Sequence, residues 1–353
     1  PASRKTGLDA FLRQYDLSSQ EGVILMCLAE ALLRIPDDET ADRLIADKLK
    51  AGDWASHLGD SQSLFVNAST WGLMLTGRLV RLDPGDVAAP AGAVARVVGR
   101  MGEPVVRTAM RQAMRIMGHQ FVMGRTIAEA LENSLQGDNR RYRYTFDMLG
   151  EAALTRADAD RYFEAYRSAI GALERRVGEY PDAAARPSIS VKLSALHPRF
   201  ERPHRARVLA ELGPRLVDLG ATARDAGVAL TLDAEESERL ELTLELLELA
   251  CRDPRLEGWA GLGLAVQAYQ KRAPAVLRFL SGLARETRRT LNVRLVKGAY
   301  WDSEVKRAQE RGLPGYPVFS RKPNTDVSYL ACARLMLEQG AGLYPQFATH
   351  NAH

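Results

Sequence analysis

From Arg143 onward, short apolar runs alternate with longer stretches in which apolar residues recur at helical spacing. The apolar runs predict six strands, near 144–148, 188–193, 228–233, 261–267, 292–297 and 344–349. Helices are expected between them, after a Thr155/Asp158 cap and then at 208–226, 237–250 and 326–339. This alternation predicts a parallel sheet. The continuously apolar runs LTLD and GLGLAV indicate strands that are buried on both faces.

Polar residues stand at the end of every predicted strand. They are Asp147, Lys192, Asp233, Gln267, Lys297 and the pair His350 and Asn351. A βα barrel builds its site at the carboxyl ends of all its strands, whereas an open doubly wound sheet concentrates ligands at one switch point. We therefore predict an α/β fold of the (βα)8 TIM-barrel type. The absence of a GxGxxG motif opening a helix gives no support to a Rossmann site.

Eight strands close such a barrel, and the sequence supplies six before it ends at His353. We expect a distorted barrel that is truncated after the sixth strand, with its C-terminal modules missing. The chain begins at Pro1 in what reads as helical sequence, without a signal segment, so we also expect something to precede it.

Residues before the first strand show helical spacing throughout. Ser18 and Glu21 have the spacing of a capping box, a second helix is predicted over 38–50, and residues 83–92 form a Pro/Gly-rich break. A run of methionines after this break is interpreted as core packing. We predict a helical arm and α-domain over 1–140 and a βα barrel over 141–353.

Composition narrows the class of protein further. The 353 residues are 46% hydrophobic, and no segment is apolar for long enough to span a membrane. Three cysteines without CxxC spacing favour a reducing compartment, so a cytoplasmic location is expected. The net charge is only +4, with basic residues dispersed among acids, and we therefore expect no nucleic-acid partner for this segment.

Lys192 is the first candidate for chemistry because it lies in an otherwise apolar strand, SVKLSALHP. A buried cation needs an anion or a shifted protonation equilibrium. It is interpreted as binding a substrate carboxylate or as a Schiff-base nucleophile. The structural alternative is an ion pair with Asp233. Glu235 and Glu236, next to Asp233, are interpreted as solvated acids at a helix start.

The segment VRLVKGAYWDSE suits a planar, redox-active ligand. Gln267, Arg294 and Lys297 offer hydrogen-bond donors, and Gly298 and Ala299 allow close approach to the backbone. Tyr300 and Trp301 then offer flat faces, and donors with aromatic faces suit a flavin. Simple packing of the two aromatic rings is the alternative.

A phosphate seat is predicted in SRKPNTD, where Arg321 and Lys322 precede the last helix with Thr325 as its N-cap. His350 and His353 at a strand end lack the helical spacing of a zinc site, so no metal is expected.

With these motifs together, the chain closely resembles the proline dehydrogenase domain of the bacterial bifunctional proline utilisation A flavoproteins. The resemblance covers nearly the whole chain. It is carried in order by SLFVNASTWGLMLTG, YTFDMLGEAALT, ISVKLSALHPRF, LTLDAEESERLE, VQAYQKR, VRLVKGAYWDSEVKRAQ, TDVSYLACA and YPQFATHNAH.

The resemblance implies a distorted barrel that binds FAD and oxidises L-proline to Δ1-pyrroline-5-carboxylate, by transfer of the C5 hydride to flavin N5. It implies further that electrons pass to a membrane quinone, with peripheral contact at the inner face of the bacterial membrane. An aldehyde dehydrogenase module in the same polypeptide would complete the conversion to glutamate. The sequence sets no oligomeric state.

The resemblance also implies residue roles. Lys192, Asp233 and Arg294 would be catalytic, and Lys192, Asp233, Asp147 and Ala299 would bind substrate. The flavin would contact Gln267, Arg294, Lys297, Gly298, Ala299, Tyr300, Trp301, Arg321, Lys322, Thr325, His350 and Asn351.

Members of this family continue past THNAH to paired arginines that bind the substrate carboxylate, and the sequence ends before them. For residues 1–353 alone we therefore expect weak flavin retention and poor proline affinity. Two alternatives stay open at this point: a Schiff-base lyase with Lys192 or Lys297 as nucleophile, and a non-catalytic regulatory fragment.

Overall fold

The computed structural model describes Thr40 and residues 122–148, 152–180 and 186–349. The capping box at Ser18, the helices and methionine run predicted before residue 122, and His350 and Asn351 lie outside the described residues. The chain divides into two compact units, Pro1–Asn133 and Ser134–His353. The domain boundary after residue 140 stays a prediction.

Six parallel strands form one sheet in the order in which they occur along the chain. They are β1 (Thr145–Asp147), β2 (Ser188–Val191), β3 (Ala229–Leu232), β4 (Leu262–Gln267), β5 (Leu291–Val296) and β6 (Leu343–Phe347). All six predicted strands are confirmed, with ends that differ by one or two residues. Sequential parallel pairing is the topology of a βα barrel, because a doubly wound sheet reverses its strand order at a switch point. The α/β fold class is therefore confirmed.

Helices connect the strands. They are α1 (Ile127–Ser134), α2 (Arg156–Glu174), α3 (Leu193–Leu196), α4 (Arg205–Asp225), α5 (Leu240–Arg252), α6 (Ala273–Glu286), α7 (Trp301–Glu310) and α8 (Lys322–Glu338).

The start of α2 is confirmed in detail. The Thr155 side chain accepts from the Asp158 N–H, and the Asp158 carboxylate accepts from the Thr155 N–H. This reciprocal cap satisfies donors that the first turn leaves without helical partners.

Three other helix starts differ from the prediction. The helix predicted over 208–226 begins at Arg205. The segment Ser237–Arg239 forms a 3-10 turn, and α5 begins only at Leu240. The last helix begins at Lys322 rather than at Asp326, with Arg321 as its N-cap residue and Pro323 in its first turn. Proline is favoured there because its fixed φ suits the helix and the first turn needs no N–H from it.

The core lies on both faces of the sheet. Every residue of β4 is buried, and so are Ile189 and Val191 of β2 and Leu230 and Leu232 of β3. The helices cover this surface with side chains such as Tyr166 and Ile170 of α2. Each fully buried leucine or isoleucine contributes roughly 1.5–3 kcal/mol relative to exposure. The packed layers leave the carboxyl ends of the strands as the edge on which polar groups converge.

Within the described part of the chain, none of the helices combines the length and apolar character needed to cross a lipid bilayer.

Candidate active site

Four charged side chains from different strands meet at the carboxyl edge of the sheet. Lys192 Nζ lies 3.2 Å from Asp147 Oδ1 and 3.1 Å from Asp233 Oδ2. Arg294 Nη1 lies 3.1 Å from Asp233 Oδ1 and donates to Ser190 Oγ at 2.9 Å. Cations and carboxylates thus alternate from β1 across β2 and β3 to β5. We call Asp147, Lys192, Asp233 and Arg294 the ion-pair cluster.

Strand register brings this cluster together. Asp147 is the register partner of Ser190 in the β1–β2 pair, and both precede Lys192 at the strand ends. In β5, Leu291, Val293 and Leu295 are buried while Arg294 is only partly so. Because successive strand residues point to opposite faces, Arg294 projects away from those three apolar side chains. The sequence prediction placed Asp147, Lys192, Asp233 and Arg294 in one site, and the structure brings them into contact.

The cluster is electrically balanced, with two cations and two carboxylates. Asp233 is its most enclosed member at 13% side-chain exposure, whereas Asp147 is 42% exposed. Burial raises the pKa of Asp147, and the negative charge of Asp233 raises it further, against the opposing effects of Lys192 and Arg294. The ion pair between Lys192 and Asp233 is the one that the structural interpretation of Lys192 predicts. A ligand role for Lys192 therefore requires it to exchange or share these carboxylates.

The Nη2 atom of Arg294 is the next feature of this site. This atom is buried and has no hydrogen-bond partner in the part of the chain that the structure describes. An unsatisfied buried donor costs about 1–3 kcal/mol, and a bound hydrogen-bond acceptor would remove that cost. The Nη2 atom of Arg294 is therefore a candidate contact for a polar ligand at the edge of the sheet.

A second network joins the ends of four strands. Gln267 donates from Nε2 to the Glu235 carbonyl at 2.8 Å and accepts the Ala299 N–H at 3.1 Å. Glu235 accepts the Ser194 N–H at 3.0 Å and an Arg239 N–H at 2.6 Å. These contacts fix the side-chain amide of Gln267, a predicted flavin contact, against the backbone on both sides.

The interpretation of Glu235 as a solvated helix-start acid is wrong, because this side chain is 5% exposed and paired with Arg239. Glu236 is also only partly exposed, and its carboxylate lies 3.3 Å from Arg239. The sequence places Glu235 two residues after the end of the predicted strand over 228–233. That position did not identify Glu235 as a buried acid, because acids at the start of a helix commonly occupy the same position.

Lys297 lies at the end of β5 and reaches the start of α8. Its Nζ donates to Asp326 Oδ1 at 2.5 Å, and Lys322 Nζ donates to Asp326 Oδ2 at 2.7 Å. These two hydrogen bonds lower the pKa of Asp326. The predicted N-cap role of Thr325 is wrong, because Thr325 lies inside the first turn of α8 and is buried. Arg321 is exposed beside these residues.

Gly298 lies where no larger residue fits. Its φ is 148°, and a Cβ built on it would come within 2.4 Å of the Tyr269 ring. The aromatic residues that follow, Tyr300 and Trp301, lie in different surroundings. Burial raises the pKa of Tyr300, with further contributions from Glu235 and Glu236. Trp301 is 43% exposed and donates its indole N–H to the Phe319 carbonyl at 3.0 Å. The polar edge of Trp301 is thus held while part of its ring stays accessible.

No group of three His, Cys, Asp or Glu side chains among residues 122–148, 152–180 and 186–349 is arranged to hold a metal ion.

Taken together, the fold and the site define a βα protein of the kind whose ligands bind at the carboxyl ends of consecutively paired parallel strands. Comparison with known families identifies the class of protein more narrowly. The family described as "Proline dehydrogenase" matches residues 130–353, and the chain belongs to this family.

Similar proteins agree with this assignment. The bifunctional protein PutA of Escherichia coli (strain K12) is 54% identical over 356 residues, which cover 100% of this chain and 26% of that protein. The bifunctional protein PutA of Rhizobium meliloti is 51% identical over 347 residues, covering 98% of this chain and 28% of that protein. A crystal structure of a Bradyrhizobium japonicum proline utilization A (PutA) mutant has a TM-score of 0.68 and 51% identity, covering 97% of this chain and 34% of that one. The chain spans about a quarter of the length of these curated relatives.

A second family, described as "DNA-binding domain of Proline dehydrogenase", matches residues 7–121. This match contradicts the expectation that the segment has no nucleic-acid partner. That expectation rested on a net charge of only +4 for the whole chain, and a whole-chain sum does not report how charge is distributed over one domain.

Proposed function

We propose that this chain carries out the FAD-dependent oxidation of L-proline to Δ1-pyrroline-5-carboxylate, the first step of proline catabolism to glutamate. Membership of the proline dehydrogenase family supports the reaction. The observation that carries the site assignment is the ion-pair cluster, in which Lys192 and Arg294 share Asp233 at the carboxyl ends of the strands. Fixed charges of both signs suit a zwitterionic amino-acid substrate.

The residues present fit a flavin. The buried, unsatisfied Nη2 of Arg294 can donate to an acceptor on a ring system, and the lack of a side chain at Gly298 allows close backbone approach. The cations Lys297, Lys322 and Arg321 near the start of α8 suit a diphosphate. Bound FAD would accept the hydride that proline loses. The remaining proposed contacts are Gln267, Ala299, Tyr300, Trp301, Thr325, His350 and Asn351.

In this proposal Lys192 binds the substrate carboxylate. The cluster is neutral, so an added carboxylate leaves it with excess negative charge. Asp147 has a raised pKa and is the more exposed of the two acids, and it is therefore the group that can release Lys192 at the lowest cost. Asp233 holds both Lys192 and Arg294 and fixes the distance between the substrate and flavin sides of the site. Holding the two reactants in a reactive geometry contributes to the rate enhancement.

The wider role is proposed by analogy with the relatives. We propose that electrons pass to a membrane quinone, that the protein contacts the inner face of the bacterial membrane from the cytoplasm, and that an aldehyde dehydrogenase module belongs to the same polypeptide. The name of these relatives, bifunctional protein PutA, supports a second activity. For residues 7–121 the matched family makes DNA the partner to test.

The Schiff-base alternative is less well supported. A lysine nucleophile must react as the neutral amine, and two carboxylates within 3.3 Å of Lys192 Nζ favour the charged ammonium. Lys297 is likewise hydrogen-bonded to a carboxylate, that of Asp326. The same contacts suit electrostatic binding of an anion.

The visible spectrum of the purified chain, recorded without oxygen before and after addition of L-proline, tests the proposal. Flavin bands at roughly 380 and 450 nm that bleach with proline would support the dehydrogenase. Bands that persist would favour the non-catalytic fragment. Borohydride trapping of a substrate adduct on lysine, in protein without these bands, would favour the lyase.

A further inference from the structure

The carboxylate of Glu304 is a buried acidic group that the proposed mechanism does not use. Glu304 lies in the first turn of α7, and the residue is only 3% exposed. Its Oε1 atom accepts the Ser237 N–H, and its Oε2 atom accepts the Ser237 hydroxyl at 2.6 Å. A buried carboxylate is stable only when hydrogen bonds or opposite charges replace the water that it loses. Ser237 supplies two such hydrogen bonds.

The contact between Glu304 and Ser237 joins segments that follow two different strands. Ser237 opens the 3-10 turn Ser237–Arg239, four residues after Asp233 of the ion-pair cluster. Glu304 follows the loop 297–300, and its own N–H donates to the Tyr300 carbonyl at 2.9 Å. The side chain of Glu304 therefore connects the segment after β3 to the loop after β5.

The loop after β4 is connected to the same contact. Arg272 donates a guanidinium N–H to the Ser237 carbonyl. Burial lowers the pKa of Arg272, and the negative charge of Glu304 opposes this effect. Tyr269, three residues before Arg272, donates its N–H to the Lys297 carbonyl at 2.7 Å. The segments that follow β3, β4 and β5 are thus joined through Ser237 and its partners.

We propose that Glu304 is a positioning residue for proline oxidation, which fixes the loop 297–300 relative to the segment that carries Asp233. The inference rests on the function proposed above, in which that loop contacts the flavin and Asp233 lies on the substrate side. Among the described residues, the Glu304 side chain bonds to Ser237 and to no member of the ion-pair cluster. It therefore acts on the reaction only through the segments that it holds. A displacement of about 1 Å between reacting groups can lower a rate about 100-fold.

Three variants separate the hydrogen bonds of Glu304 from its charge. Glu304→Gln can keep both bonds, because the amide oxygen accepts the Ser237 N–H and the amide N–H donates to Ser237 Oγ. Glu304→Ala removes both bonds, and Ser237→Ala removes only the bond from the hydroxyl. Glu310→Gln, at a 62% exposed carboxylate in the last turn of the same helix, is the matched control.

Anaerobic stopped-flow reduction of the flavin by L-proline, in the FAD-saturated chain, measures the limiting rate constant and the Kd of proline separately. We expect Glu304→Ala to lower the limiting rate constant about 10- to 100-fold, with a change in the Kd of less than about threefold. Ser237→Ala should lower the rate constant less strongly. Glu304→Gln and Glu310→Gln should behave as wild type.

Hydrogen exchange of the chain without FAD gives a measurement that does not depend on activity. Amides of 297–301 are expected to exchange faster in Glu304→Ala than in wild type, and at the wild-type rate in Glu304→Gln. Ser237→Ala keeps Glu304 and one of its two bonds, so this variant tests the proposal if Glu304→Ala does not fold.

The possible results distinguish this proposal from the proposed function. Flavin that stays oxidised when proline is added to the wild-type chain would refute the function itself. If wild type is reduced, the role of Glu304 is overturned by unchanged rate constants in Glu304→Ala and Ser237→Ala, or by a Kd of proline that rises in step with the fall in rate. It is also overturned if Glu304→Gln is as slow as Glu304→Ala. Unchanged exchange of 297–301 in Glu304→Ala would overturn it whether or not proline is oxidised.

Discussion

Lys192 combines a structural and a proposed functional role in one side chain. It holds Asp147 on one strand and Asp233 on another, so its charge stabilises the edge of the sheet. Truncating one partner of a largely buried charge pair typically costs about 2–5 kcal/mol, much of it because the remaining charge is left unpaired. The same ammonium is the proposed partner of the substrate carboxylate. Its substitution should therefore affect both stability and substrate binding.

Substitution of Lys192 by methionine tests this. We expect Lys192→Met to lower kcat/KM for L-proline about 100-fold, mainly through a higher KM, because the carboxylate partner is lost. The measurement is steady-state proline oxidation by the FAD-loaded chain, with flavin absorbance as a check on cofactor content. Lys306→Met, at a 77% exposed lysine on α7, is the matched control and should behave as wild type. An unchanged KM in Lys192→Met would exclude a carboxylate-binding role.

Asp147 gives a prediction about pH. Its pKa in the folded chain is raised above the ordinary value of 3.8, first by burial and then by Asp233. The stability that it contributes is therefore fully present below that value and is lost as pH rises through the folded pKa. Asp147→Asn removes this loss. We expect the free energy of unfolding of Asp147→Asn, relative to wild type, to increase from pH 4 to pH 7.

Urea denaturation at several pH values measures this difference. Asp138→Asn, at an 84% exposed carboxylate, is the control and should show a flat profile. A relative stability of Asp147→Asn that falls with rising pH would mean that the attraction of Lys192 for this carboxylate outweighs its desolvation.

At the scale of elements, the strands were predictable and the contacts between them were not. Short apolar runs identified all six strands, and the Thr155/Asp158 spacing identified the start of α2. The start of α8 was misplaced because Thr325 is a good capping residue by type, whereas Pro323 was the better signal. Residue chemistry at strand ends pointed to Lys192, and the segment VRLVKGAYWDSE pointed to Arg294 as a hydrogen-bond donor.

The pairing of these residues depends on strand register, which no local pattern encodes. Arg294 donates to Ser190, a residue 104 positions earlier in the chain. Glu235 was missed partly for the same reason, because its partner Ser194 lies 41 residues earlier in the chain, although its other partner, Arg239, is only four residues ahead. A sequence pattern reports which face a side chain occupies, but not which distant group it meets there.

The loop between β5 and α7 gives a prediction about packing. Gly298→Ala places a Cβ within 2.4 Å of the Tyr269 ring at a φ of 148°. Overpacking of this kind typically costs about 1–3 kcal/mol. We expect a lower free energy of unfolding and a smaller fraction of chains that retain FAD, measured by urea denaturation and by the ratio of flavin to protein absorbance.

Gly282→Ala is the matched control for this change. Gly282 lies in α6, and a Cβ there meets nothing within 4 Å. Alanine is favoured over glycine inside a helix by roughly 0.5–1 kcal/mol, so this variant should be as stable as wild type or more so. Equal stability of the two alanine variants would show that the loop moves to accept a side chain.

For the whole molecule, sequential strand order makes the sheet least accessible near β4. All six residues of β4 are buried, and it pairs with β3 on one side and β5 on the other. β1 pairs with β2 alone in the described sheet, and two of its three residues are exposed. Stability is distributed unevenly in such a structure, because edge segments open at lower free energy.

Hydrogen exchange followed by mass spectrometry tests this distribution. We expect amides of 262–267 to exchange far more slowly than those of 145–147. Peptides from β2 provide an internal reference, because β2 is buried but lies next to β1. Equal protection of β1 and β4 would indicate that the edge of the sheet is covered in solution.

The sequence separation within the ion-pair cluster also sets an order of events during synthesis. Lys192 follows Asp147 by 45 residues, whereas Arg294 follows Asp233 by 61 and Ser190 by 104. A ribosome adds about 5–20 residues per second, so β2 waits roughly 5–20 s for the arginine that binds its serine. Once Asp233 has been added, Lys192 is its only cationic neighbour from the cluster until Arg294 follows 61 residues later. If binding of the cofactor depends on Arg294, it is a late step in synthesis. The flavin content of newly made chains would then report how many have been translated through β5.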